Sequence, residues 1–155
     1  MLFTQIENAR LEARKVQNKV KANLLSLIVG QCQQNRKTDD ESVRAILNST
    51  LKGINDRIEE QYNDDDYITA VYEKEVIMEF MPKEITPEQF NIIVNGKTLM
   101  DLHRILGPNV KAIAGKFMGQ ISAGTKEGAW FVSNPKEMKQ DIERYVVSAL
   151  EAIGV

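Results

Sequence analysis

The chain has 155 residues, 43% of them hydrophobic and 27% charged, a composition that folds and that disordered sequences do not carry. Its 20 basic and 22 acidic side chains leave a formal charge of −2. That balance excludes a polybasic arm or an acidic tail and confines any nucleic-acid grip to a local patch. A single cysteine, Cys32, excludes an internal disulfide and a cysteine-type zinc site, so a reducing, cytoplasmic setting is expected.

The amino terminus meets a charge at Glu7, and the aliphatic cluster from Leu24 to Val29 falls well short of the ~20 residues a bilayer needs. Neither a signal peptide nor a membrane span is expected. Apolar residues at Leu2, Ile6, Ala9, Ala13, Val16, Val20, Leu24 and Ile28 advance in steps of three or four, which predicts one long first helix. Thr38, with Glu41 three places on, reads as a capping box for a second helix that runs through Val43, Leu47, Leu51 and Ile54 to about Tyr62. Asn63 and the acids Asp64, Asp65 and Asp66 suit the start of a third, where carboxylates face the positive end of the helix dipole. Phe80 and Met81 are expected inside that helix, with Pro82 closing it.

Seven of the nine glycines and all four prolines lie from Pro82 onward, so a second domain is expected over 83–155 after a first over 1–82. Thr86 caps a short helix at Pro87 that ends by Asn95-Gly96, and Thr98 with Asp101 is expected to cap the next, as far as Gly107-Pro108. Val110, Ile113, Phe117 and Ile121 line one face of a helix carrying Gly115 and Gly119, followed by a predicted turn from Gly124 to Gly128. Ser133 or Asn134 caps the last helix at Pro135. No strand alternation is long enough to matter. The fold class is all-α: an amino-terminal bundle of three helices, the first long, followed by a small helical domain.

Catalytic and cofactor chemistry finds little support. His103 and Cys32 are the only rare nucleophile and base, they fall in different predicted domains, and no orienting partner is evident, so no catalytic residue is assigned. No phosphate-cradling glycine loop occurs, and the Asp39-Asp40-Glu41 and Asp64-Asp65-Asp66 clusters lack calcium-loop spacing; helix capping explains both. Neither a metal nor a cofactor is expected.

Three stretches carry a family resemblance. Lys21-Ala22-Asn23-Leu24-Leu25-Ser26-Leu27-Ile28, the junction Glu79-Phe80-Met81-Pro82-Lys83-Glu84-Ile85-Thr86, and the helix Val110-Lys111-Ala112-Ile113-Ala114-Gly115-Lys116-Phe117-Met118-Gly119 together resemble YqeY-type proteins. The carboxy-terminal part of that family is shared with the tail domain of the GatB subunit of glutamine-dependent tRNA amidotransferases. One departure lies before the last helix, where family members carry a short glycine turn: here Gly124-Thr125-Lys126-Glu127-Gly128 is followed by the insert Ala129-Trp130-Phe131-Val132-Ser133-Asn134, which suits a divergent member, such as a phage-borne one. The resemblance implies a non-catalytic helical module associated with tRNA-dependent amidation and with tRNA binding. Carbon–nitrogen ligase chemistry is then an inherited association only, since nothing here matches the transferase's catalytic domain.

The charge pattern identifies candidate RNA contacts. From Asn95 to Lys126 five basic residues, Lys97, Arg104, Lys111, Lys116 and Lys126, face the single acid Asp101, a net +4. These are either phosphate contacts or the solvated faces of amphipathic helices, and Gly115 and Gly119 are expected to admit a closely packed neighbouring helix. A second basic set, Arg10, Arg14, Lys15, Lys19 and Lys21, reads as solvated surface, and Trp130 and Phe131 read as core. The alternative to an RNA module is a protein-interaction adaptor that docks on a host enzyme or on a second copy of itself.

Overall fold

The computed structural model of the protein describes residues 1–60 and 63–154. It is all-α, with eight helices among the described residues: α1 Leu2–Lys15, α2 Lys19–Gln34, α3 Asp40–Glu60, α4 Asp64–Met78, α5 Pro87–Ile93, α6 Gly96–Leu106, α7 Val110–Glu127 and α8 Pro135–Ala152. None of them is long and apolar enough to cross a membrane. The chain divides into two compact units, Met1–Pro82 and Lys83–Val155.

The amino-terminal unit holds four helices, because the single long helix expected from periodicity is two. Gln17 adopts φ +58, the left-handed region, and the backbone turns there. Gln17 N–H donates to the Arg14 carbonyl at 3.1 Å and Asn18 N–H to that of Ala13 at 2.8 Å, the paired bonds of a helix-terminating motif usually built on glycine. Asn18 then restarts the helix, its Oδ1 accepting the Lys21 N–H at 3.2 Å, while its Nδ2 donates to the Tyr72 hydroxyl at 2.6 Å. α1 and α2 fold back on each other and both face one core, in which Ile6, Leu25, Ile28, Leu47 and Ile77 are fully buried. The predicted stripe holds on either side of the break, where Leu2, Ile6 and Ala13 of α1 and Leu24 and Ile28 of α2 are buried, but it is interrupted at the turn, where Val16 is 72% exposed and Val20 lies at the surface.

The other starts and stops also shift. Asp39, not Thr38, caps α3: its carboxylate accepts the Ser42 N–H at 3.0 Å and its carbonyl accepts that of Val43. Asp40, next in line, accepts the Leu2 N–H at 2.9 Å and ties the chain's start to α3. The predicted end of the second helix at Tyr62 lies outside the described residues. α4 stops at Met78, short of Phe80 and Met81, because Phe80 and Met81 donate to the carbonyls three residues back and tighten the last turn before Pro82.

In the carboxy-terminal unit α7 is the central element, with α5, α6 and α8 packed on it. Phe117, Ile113, Ile121, Ile142, Val146 and Leu99 form its core. Thr86 and Gln89 make the capping box of α5, with Pro87 in the first turn. Asn95 rather than Thr98 caps α6, accepting the Thr98 N–H at 2.9 Å. α7 continues through Gly124 to Glu127 instead of turning there, and ends at Gly128, φ +80. The segment before α8 forms a two-bond parallel bridge with the start of the unit: Ile85 N–H donates to the Phe131 carbonyl and Phe131 N–H to that of Lys83, each at 2.9 Å.

Candidate functional site

Lys97, Arg104, Lys111, Lys116 and Lys126 are all exposed, the first two on α6 and the rest on α7. At ~100° per residue, Lys111, Gly115, Gly119, Ser122 and Lys126 fall within about 80° of arc on α7, and Lys116 flanks them roughly 60° further round. Phe117, Ile121 and Ile113 occupy the opposite side and face the core. Lys111 and Lys126 stand about 22 Å apart along the axis, so the strip extends over most of the helix.

The glycines of this strip do not pack, contrary to the sequence expectation. A Cβ built on Gly115 or on Gly119 meets nothing within 4 Å, and both residues are exposed. Their position explains it: both lie on the side of α7 away from Phe117. The glycine that does admit a neighbour is Gly124, where a Cβ would land on the Trp130 ring. Two bare glycines in a helix interior cost about 2 kcal/mol relative to alanine, with no packing in return.

Lys97 and Lys111 lie in the first turns of α6 and α7, neither of which carries an acid there, whereas α3, α4, α5 and α8 do. Cations at that end oppose the helix dipole and reinforce a positive potential. Arg104 approaches Asp101 at 3.7 Å with both side chains mostly exposed, a pairing that contributes little and leaves the guanidinium presented to solvent.

Of the second basic set Arg14, Lys15 and Lys19 are exposed, whereas Arg10 and Lys21 are half-buried rather than solvated as expected. Lys15 pairs with Glu12 at 3.1 Å and Lys21 with Glu79 at 3.3 Å, while Arg10 Nε is buried without a hydrogen-bond partner. Cys32 is fully buried on α2, and burial pushes its thiol above the ordinary range, the opposite of an activated nucleophile. Among the described residues no group of three or more His, Cys, Asp or Glu side chains is arranged to hold a metal. Trp130 is half-buried against the carboxy-terminal core, and Phe131 is buried. An open groove beside α8, walled by Glu84, Glu137 and Asp141, escaped the sequence reading because Glu84 is more than fifty residues from the others; only the like-charged Glu137 and Asp141 at i and i+4 signalled it.

No protein-family model matches the chain, and no curated protein matches it.

Proposed function

We propose that the protein is a non-catalytic helical module that contacts structured RNA, tRNA by its resemblance to the YqeY and GatB tail family, through the outer face of α7 and the lysine-bearing first turns of α6 and α7. The observation that carries this reading is the pair of bare glycines, Gly115 and Gly119, between Lys111, Lys116 and Lys126. Without Cβ atoms the helix backbone can approach a phosphodiester closely, and the flanking lysines displace condensed counterions. A duplex RNA presents phosphates and 2′-hydroxyls as a shape rather than as a base sequence, which suits such a face. Association with tRNA-dependent amidation would follow from holding tRNA, with the ligase chemistry supplied elsewhere.

Binding of bulk tRNA across a salt series tests it. A log–log slope of about −3 to −5 is expected, falling by ~0.7 to 0.9 for each of Lys111→Ala and Lys116→Ala. Absence of binding at low salt, or binding indifferent to both substitutions, would reject the reading. A second reading, a protein-docking module without an RNA role, draws on Ile92 and Ile105, 77% and 79% exposed on α5 and α6. Recovery of a stoichiometric protein partner without RNA, lost on Ile105→Ser, would favour it.

A further inference from the structure

The open groove of about 400 Å³ in the carboxy-terminal unit has a floor of Ile85, Phe90, Val132 and Met138 and a rim of three carboxylates, Glu84, Glu137 and Asp141. No lysine, arginine or histidine lines it. The carboxylates are held in place by exposed partners: Ser133 donates its N–H and hydroxyl to Glu84 at 3.1 and 3.2 Å, Asn134 Nδ2 donates to Glu137 at 3.2 Å, and Arg144 donates to Asp141 at 3.1 Å. Lys136 and Lys139 leave α8 from other sides of the helix, well away from Glu137 and Asp141 in angle. An apolar floor under a rim whose charged lining residues are all carboxylates, with Asp141 in an exposed pair with Arg144, calls for a ligand that is apolar in the middle and cationic at its edges.

We propose that this groove binds an extended peptide segment of a partner protein, with an aliphatic side chain on the floor between lysines or arginines two residues apart. Charge complementarity selects the cations, and spacing selects the extended chain. Glu137 and Asp141 are one turn apart on α8, about 6 Å along the axis, and alternate residues of an extended strand are about 6.7 Å apart. The side chain between them points the other way, toward the floor. This ligand and this surface are opposite in charge to those of the RNA reading, so either proposal can fail alone.

The test is a titration of the intact, isotope-labelled chain with acetyl-Lys-Leu-Lys-Leu-Lys-amide, followed by amide chemical shifts. Saturable shifts are expected at Ile85, Ser133, Glu137 and Met138, at least tenfold weaker binding for the Glu-Leu-Glu-Leu-Glu and Lys-Ser-Lys-Ser-Lys counterparts, and at least fivefold weaker binding by the double variant E137Q/D141N. Should that variant lose its dispersed spectrum, weakening of the wild-type interaction by 0.5 M salt serves the same purpose. No shifts at millimolar peptide, shifts elsewhere, or equal binding of the acidic peptide would overturn the proposal. So would shifts at these residues that follow protein concentration without peptide, which would assign the groove to a second copy of the chain.

Discussion

The indole of Trp130 lies directly over the backbone of α7 at Gly124, where a Cβ would collide with its six-membered ring, and Nε1 donates to the Ile121 carbonyl at 3.0 Å. This pairing seats the segment before α8 on the central helix. Gly124→Ala is therefore expected to destabilise the protein by about 1–3 kcal/mol, the usual cost of overpacking. In a Trp130→Ala background the same substitution should reverse sign and stabilise by about 0.5–1 kcal/mol, since only the helix preference for alanine then remains. Chemical denaturation of the four members of this cycle measures both effects. Equal effects in the two backgrounds would show that ring and glycine do not interact.

The break between α1 and α2 rests on two side chains that do opposite things. Asn18 caps α2 and binds Tyr72, so Asn18→Ala should cost about 1–2 kcal/mol. Gln17 holds a left-handed conformation that disfavours any side chain, so Gln17→Gly should stabilise by about 1 kcal/mol. Thermal unfolding of both variants checks the pair. A loss of stability in Gln17→Gly would mean that the residue is not held at positive φ.

That break also shows what a sequence can and cannot reveal. The buried positions of α1 and α2, Leu2, Ile6, Ala13, Leu24 and Ile28, were legible because burial selects the 3.6-residue period, whereas Val16 and Val20, which continue that period across the turn, are exposed. The turn was not, because its left-handed position is filled by Gln17, and the end of α2 likewise uses Arg36 at φ +55. Where proline marks a helix start, as at Pro87 and Pro135, the boundaries were readable. Gly124 misled in the other direction: a glycine near a helix end reads as a stop, yet here it is an interior residue cleared for Trp130. The four candidate lysines and the one arginine were countable in sequence, but the outward direction of Gly115 and Gly119 depends on which side of α7 the other helices cover.

Asp39 gives a pH signature. Hydrogen bonds from the Ser42 hydroxyl and amide hold its carboxyl below the usual carboxylate range. A depressed folded-state pKa contributes stability that is fully present above the unfolded value, about 3.9, and is lost as pH falls through the lower folded value. The stability gap between wild type and Asp39→Ala should therefore stay constant from pH 7 to about 5 and narrow below about 4. Denaturation at stepped pH measures it, and a gap that widened on acidification would contradict the cap.

The bare strip of α7 makes stability and binding move in opposite directions. Gly115→Ala and Gly119→Ala place a methyl group in open solvent on a helix interior, so each should stabilise by about 1 kcal/mol. A unit of this size should respond with a melting temperature higher by about 4–8 °C for each kcal/mol. If RNA approaches the helix backbone, the same methyl groups stand between phosphate and helix, and tRNA affinity should fall although every lysine is intact. Melting and tRNA titration of the double variant separate the cases. Higher stability with weaker binding supports backbone approach at the glycines; higher stability with unchanged binding leaves contact to the lysines alone; lower stability would mean that this face is covered by another part of the protein.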